Sequence, residues 1–131
     1  MFQYGHIVDR IFLVFSKLFI HIYSEMINSI PLPYKISGTK ITIPFKAICS
    51  VTDKEFGGDI IIEYRPDKNA LEYVHTEEVV STLALQKITA EDLVNQIYQE
   101  VNDSIKPTYL KVIADVKHSN AHQPVQVWLE S

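Results

Sequence analysis

The sequence is poor in the residues that build loop-rich, cross-linked proteins. It has one cysteine, four glycines and six prolines among 131 residues. A single cysteine cannot form an intramolecular disulfide, and such a composition does not suit a small scaffold stapled by disulfides. We therefore expect a protein of a reducing, cytoplasmic compartment. Because Cys49 is the one thiol, it is also a candidate for nucleophilic chemistry.

Positive charge is also scarce. Twelve lysines and arginines stand against sixteen acidic residues, which gives a net charge of −4. Long-range attraction to phosphates is thus excluded as the main source of affinity for nucleic acid, and any such contact must be local. Apolar residues make up 47% and charged residues 21% of the chain. These values exclude wholesale disorder and indicate one globular domain.

Long hydrophobic runs are absent as well. The most apolar stretch, residues 11–23, is interrupted by Ser16, Lys17 and His21. It is shorter than the roughly 20 apolar residues that a membrane-spanning helix needs, so we expect no membrane partner. We assign residues 1–28 to an N-terminal extension and 29–131 to a single domain. The extension is either an amphipathic helix packed on the body or, as we favour, a leader upstream of a true start at Met26.

The rest of the chain alternates between two periodicities. Apolar residues at every second position predict strands over 40–46, 110–116 and 125–129, and the β-branched content of 59–64 predicts a further strand. Residues 71–86 and 89–104 carry apolar residues at helical spacing, and Thr89 with Asp92 has the spacing of a capping box. Pro44 within the first strand indicates a sheet edge or a bulge.

The order strand, strand, helix, helix, strand, strand predicts an α+β fold. We expect a four-stranded antiparallel sheet with two helices on one face. Such a sheet ends in open edges, and exposed edges favour pairing with further copies of the chain. A homo-oligomer that closes into a barrel is the expected assembly.

Four segments together resemble one known family. They are Cys49-Ser-Val-Thr52, Ile60-Ile-Ile-Glu-Tyr64-Arg-Pro66, Leu71-Glu72 and Glu91-Asp-Leu-Val-Asn-Gln-Ile97. This set is similar to the motifs of the 7-cyano-7-deazaguanine reductases, the nitrile reductases of queuosine biosynthesis, which have the tunnelling fold. The spacing from Cys49 through Glu91 fits the family pattern without a gap, and the resemblance covers about residues 40–116.

The resemblance breaks where those reductases hold their nicotinamide cofactor. Two lysine positions of the family signature are occupied here by Val74 and Glu77. A carboxylate repels the phosphates that an ammonium would attract, so we expect no cofactor. In lacking this cofactor signature, the chain resembles the QueF-like archaeosine synthases, which are amidinotransferases. The resemblance implies tRNA carrying 7-cyano-7-deazaguanine and ammonia as partners, and an assembly of a pentamer or a pair of pentamers.

The same resemblance implies a covalent mechanism. The thiolate of Cys49 adds to the nitrile carbon and gives a thioimide, which ammonia converts to the formamidine of archaeosine. The family places the accompanying acid seven residues after the cysteine, where this chain has Phe56. We rank three nearby carboxylates as its replacement, with Asp59 first, Asp53 second and Glu55 third.

Recognition of the base is assigned to three residues. An ionised carboxylate at Glu91 accepts both neighbouring N–H donors of a guanine-like edge, and its place in the first turn of a helix favours the charged form. Glu72 helps to define the pocket in the resemblance, and His75, three residues further on, is either a pocket residue or a surface histidine. A surface role at a helix start is the alternative for Glu91.

A metal site is not expected. His118 and His122 have the H-x3-H spacing, but the intervening residues indicate a loop, and no cysteine or glutamate lies at ligand spacing. Two other functions stay open. One is an NADPH-dependent nitrile reductase with an altered cofactor site, and the other is a non-catalytic protein that binds deazapurines or tRNA.

Overall fold

The structure, a computed structural model, describes residues 27–131. The elements of this part of the chain are, in order, β1 (Ser29–Pro31), β2 (Thr39–Ile48), β3 (Glu55–Arg65), β4 (Asn69–Leu71), α1 (Tyr73–Ala84), α2 (Ala90–Ile105), β5 (Tyr109–Ser119) and β6 (Val125–Glu130).

The main sheet has the predicted architecture. Its four strands are antiparallel in the order β2-β3-β5-β6, and the two helices pack on it, α1 against β2 and α2 against β5 and β6. Strand β2 is an edge strand, which explains how Pro44 is accommodated in it. Along β2, Ile43, Phe45 and Ala47 are buried between exposed neighbours, as alternation requires. The α+β fold with a helix pair on one sheet face is confirmed.

Local differences from the predicted elements have simple causes. Strand β3 begins at Glu55 rather than at residue 59, because Gly57 and Gly58 continue the ladder despite their low strand propensity. Strand β5 runs on to Ser119, so His118 lies in a strand and not in a loop. Strands β1 and β4 pair with each other, and three residues are too few to show a periodicity.

The core lies between the helices and the sheet. Helix α2 contributes a stripe of buried apolar residues, namely Leu93, Val94, Ile97, Val101 and Ile105. Burial of one such side chain stabilises the fold by about 1.5–3 kcal/mol before the entropic cost of ordering it. The hydroxyl oxygen of Thr89 accepts a hydrogen bond of 3.1 Å from the Asp92 N–H, so Thr89 caps α2 as its spacing predicts.

Residues 27 and 28, at the predicted domain boundary, contact the rest of the fold. Ile27 is buried in the core, and its N–H donates to the Ser104 hydroxyl at 2.8 Å. The Asn28 N–H donates to Nδ1 of His75 at 2.8 Å. The remainder of the expected extension lies outside the described residues. Within residues 27–131, the helices are too short or too polar to cross a membrane.

Gly58 is the position where the fold leaves least room for a side chain. The register of β3 against β5 shifts between Gly57 and Gly58, and a Cβ on Gly58 would overlap the backbone carbonyl of Asp115. Gly58→Ala should therefore lower the free energy of unfolding by roughly 1–3 kcal/mol. Gly38→Ala is the matched control, since its Cβ would lie 3.7 Å from the Tyr64 carbonyl oxygen. Equal urea midpoints for both variants would contradict this account.

Candidate active site

Cys49 stands at the point where strand β2 leaves the sheet. We call residues 49–54, which connect β2 to β3, the Cys49 turn. The Cys49 N–H donates to the Lys54 carbonyl at 2.9 Å, and the Asp53 N–H donates to the Cys49 carbonyl at 2.8 Å. Asp53 has a φ of 64°, the left-handed region that aspartate tolerates better than most residues. These two hydrogen bonds fix the reversal of the chain around the thiol.

The surroundings of the Cys49 sulfur favour its anion. The side chain is partly buried and packs against the core. Its pKa is lowered, chiefly because the Thr52 hydroxyl hydrogen-bonds to the sulfur, and further because the backbone N–H groups of Thr52 and Val51 point at it. Burial and the charge of Glu91 oppose this shift. A thiolate is the reactive form of cysteine, so this turn supports a nucleophile.

The start of helix α2 lies beside the same turn. The Ile88 N–H donates to the Ile48 carbonyl at 2.8 Å, and Ile48 forms a parallel bridge with Lys87. The connection 85–89 between the helices therefore runs along the end of β2. Glu91, exposed in the first turn of α2, is close enough for its charge to act on the Cys49 thiol. The structure thus brings Glu91 near Cys49, two residues that the motifs select separately.

The three candidate acids occupy different places. Asp53 is part of the Cys49 turn, and its Oδ1 lies 2.5 Å from Nζ of Lys87. Glu55 is exposed at the start of β3, opposite Ile48. Among these carboxylates, Asp53 is the one hydrogen-bonded through its backbone to Cys49.

Asp59, ranked first from the sequence, lies further along β3. It pairs with Pro44 in the ladder, and its Oδ2 accepts a hydrogen bond of 2.7 Å from Nζ of Lys117. It lies four positions after Glu55, or about 13 Å further on at the rise of a strand. Within one protomer the geometry therefore favours Asp53 over Asp59. The catalytic roles of both carboxylates stay predictions.

Phe56, seven residues after Cys49, is a residue of the core. Its ring is buried in the core and contacts Phe45 edge to face, with ring centroids 5.8 Å apart. This position points to the same sheet face as the buried residues of β2, under the helices. It supplies packing and has no group that titrates.

Glu72 and His75 are engaged at the other end of helix α1. Glu72 is the N-cap, and its carboxylate accepts hydrogen bonds of 2.9 Å from the N–H groups of Val74 and His75. These two bonds lower the pKa of Glu72. The twelve residues of α1 span about 18 Å, so one protomer does not bring this pair to Cys49. Their predicted roles in substrate binding stay predictions.

Two residues of the site were not selected from the sequence. Thr52 lies within the Cys49-Ser-Val-Thr52 motif, which is a signal that could have found it. Lys87 is an isolated lysine between two helices and carries no signal. Among the described residues there is no cluster of three or more histidine, cysteine or carboxylate side chains that could hold a metal ion. The His122 ring instead contacts the Gln123 carbonyl, 2.6 Å from its Nδ1.

Comparisons with known proteins agree on one group of relatives. The chain is 29% identical over 89 residues to the NADPH-dependent 7-cyano-7-deazaguanine reductase of a Campylobacter jejuni subsp. jejuni strain, covering 66% of this chain and 70% of that protein. It is 28% identical over 97 residues to the enzyme of that name from a Nitratiruptor species, covering 72% of each. No family model matches the chain.

A solved structure has the same fold. The archaeosine synthase QueF-Like in its apo form superposes with a TM-score of 0.68 at 19% identity, covering 75% of this chain and 96% of that one. The architecture is therefore the tunnelling fold. The sequence relatives, taken with this fold, confirm the predicted resemblance: the chain is similar in sequence to 7-cyano-7-deazaguanine reductases and has the fold of the QueF-like archaeosine synthase.

The role of Thr52 can be measured on the thiol itself. Thr52→Val removes the hydroxyl that contributes most to lowering the Cys49 pKa, so that pKa should rise. The rate of Cys49 alkylation by iodoacetamide at pH 7 should then fall several-fold, because less thiolate is present. Ser50→Ala, an exposed change in the same turn, is the control. It should leave the dependence of the alkylation rate on pH unchanged. An unchanged profile in Thr52→Val would show that the hydroxyl does not stabilise the anion.

Proposed function

We propose that this protein is an amidinotransferase that converts the nitrile of 7-cyano-7-deazaguanine in tRNA to the formamidine of archaeosine, with ammonia as the nitrogen donor. The observation that carries the proposal is the arrangement at the end of β2. There, the Cys49 thiol has a lowered pKa and lies beside the Glu91 carboxylate at a helix start. This pairs a nucleophile with a group suited to recognise a guanine-like base.

The first chemical step uses Cys49. Its thiolate attacks the nitrile carbon, a carbon–sulfur bond forms, and the electron pair of the triple bond moves to nitrogen, which takes a proton. The product is a covalent thioimide. The N–H groups of Val51 and Thr52 stabilise the sulfur anion before attack and again when it leaves. Ammonia then attacks the thioimide carbon and the thiolate departs, so that one difficult addition becomes two easier steps.

Glu91 holds the base in this proposal. The pyrimidine edge of a deazaguanine presents two adjacent N–H donors, which one carboxylate accepts together. The first turn of α2 stabilises negative charge there. Because Glu91 lies close to Cys49, a base bound on its carboxylate is positioned for the thiolate to reach the exocyclic nitrile.

The exposure of the Cys49 turn favours a large substrate. Residues 50–55 are all exposed, so the site opens at the surface of the protomer. A base attached to tRNA can enter such a site while the rest of the RNA stays outside. In this proposal, Glu72 and His75 reach the base from a neighbouring copy in a homo-oligomer, since α1 separates them from Cys49 of their own protomer.

A nitrile reductase is the second candidate, because the sequence relatives carry that name. Two residues of α1 oppose it. Val74 and Glu77 occupy the positions of two family lysines, and both are exposed. A carboxylate there repels the phosphates of a dinucleotide instead of attracting them. The amidinotransferase is therefore favoured.

Intact mass measurement tests the nucleophile. Mixing the protein with free 7-cyano-7-deazaguanine should add the mass of one base per chain, and Cys49→Ala should abolish the adduct because no sulfur remains to attack. With tRNA carrying the nitrile base and an ammonium salt, the formamidine nucleoside should appear on digestion. Consumption of NADPH with the free base would instead identify a reductase. The absence of any adduct would indicate a non-catalytic binder.

The role of Glu91 is tested separately from the chemistry. In a Cys49→Ala background, Glu91→Gln should weaken binding of the free nitrile base roughly 10- to 100-fold, because a charge-assisted hydrogen bond is worth about 1.5–3 kcal/mol. Titration calorimetry measures the affinity. Asp92→Asn is the matched control, since its side chain is exposed in the same helical turn. Equal losses of affinity in the two variants would show that Glu91 only stabilises the start of α2 and does not contact the base.

A further inference from the structure

One ion pair of the structure lies directly against the Cys49 turn. Lys87 bridges Ile48, the residue before Cys49, and its Nζ lies 2.5 Å from Oδ1 of Asp53 within the turn. Through these two contacts, the Lys87 ammonium is held against the turn that begins at Cys49. Both partners are exposed, with 65% and 69% of their side chains accessible.

The proposed addition needs a proton for the nitrile nitrogen, and two of the positions considered for the acid do not supply one. Phe56 has no proton to donate, and Asp59 is engaged by Lys117 further along β3. A carboxylate paired with an ammonium accepts hydrogen bonds and has no proton of its own, whereas an ammonium has three. In the Asp53–Lys87 pair, the lysine is thus the partner that carries a transferable proton.

We propose that Lys87 is the general acid of the nitrile addition and that Asp53 positions it, an inference that rests on the proposed function. As the thiolate of Cys49 bonds to the nitrile carbon, the developing nitrogen anion takes a proton from the Lys87 ammonium. The products are the neutral thioimide and a neutral lysine amine. No oxidant or reductant takes part.

The same pair serves the second half of the reaction. Ammonia bonds to the thioimide carbon, and the proton that its nitrogen must lose passes to the Lys87 amine. The carbon–sulfur bond breaks, and Cys49 leaves as the thiolate that its turn stabilises. The formamidine is released, and both thiolate and ammonium are restored for the next cycle. Asp53 holds the lysine head group in place through both steps.

Substitution of Lys87 by arginine distinguishes a role as proton donor from a role in the ion pair with Asp53. Arginine keeps a positive charge for Asp53 but does not give up its proton, so Lys87→Arg should slow formation of the thioimide with the free nitrile base about 100-fold or more, as Lys87→Met should. Lys54→Met is the matched control, because Lys54 lies in the same turn and has no ion pair within residues 27–131. Stopped-flow or quenched mass measurement gives the rate, and a urea midpoint for each variant verifies folding.

Four outcomes of these measurements are informative. A slow Lys87→Arg with an unchanged Lys54→Met supports the proposal. An unchanged rate in Lys87→Arg overturns it, and loss of the rate in Asp53→Asn with retention in Lys87→Arg overturns it in favour of Asp53 as the acid. If the unaltered protein forms no adduct at all, the proposed function fails and this inference fails with it.

Discussion

The site depends on one backbone hydrogen bond, from the Ile88 N–H to the Ile48 carbonyl. This bond ties the connection between the two helices to the end of the edge strand. Through it, the first turn of α2 comes to lie beside the Cys49 turn, although Cys49 and Glu91 are far apart in the chain. Both residues of this bond are apolar, and Ile88 is buried, so the core holds the connection in place. The chemistry is thus positioned by packing and backbone pairing that involve no reactive group.

The position of β2 at the edge of the sheet makes this hydrogen bond to the helix connection possible. A strand inside the sheet has its backbone groups bonded on both sides, whereas an edge strand leaves one side open. Here the free side of β2 receives Lys87 and Ile88 at one end. Cys49 follows directly, with its side chain against the core and its turn exposed. A thiol in this place is shielded enough for hydrogen bonds to stabilise its anion and open enough for a substrate to reach it.

Much of this fold follows from the sequence, because alternation in β2 and β5 and the helical stripe of α2 are strong, local signals. The missed details have weak local signals: Gly57 and Gly58 look like a loop, and β1 and β4 are too short. For the site, the motifs select both Cys49 and Glu91, whereas their proximity is visible only in the structure. Distance along the chain does not give the position of Asp59, since a strand of several residues carries a side chain far from the turn that precedes it. Lys87 becomes visible only through its bridge to Ile48.

The burial of Phe56 bears both on the stability of the fold and on the proton donor of the proposed reaction. A carboxylate at this buried position would need hydrogen-bond partners under the helices, whereas the ring packs against Phe45 without that cost. The core is therefore well packed at this position, and the charged residues of the Cys49 turn and its neighbours, Asp53, Glu55 and Lys87, are exposed. An exposed ion pair contributes only about 0–1 kcal/mol to folding. The placement of Asp53 and Lys87 is thus of little consequence for stability, and in our proposal its consequence lies in the chemistry at Cys49.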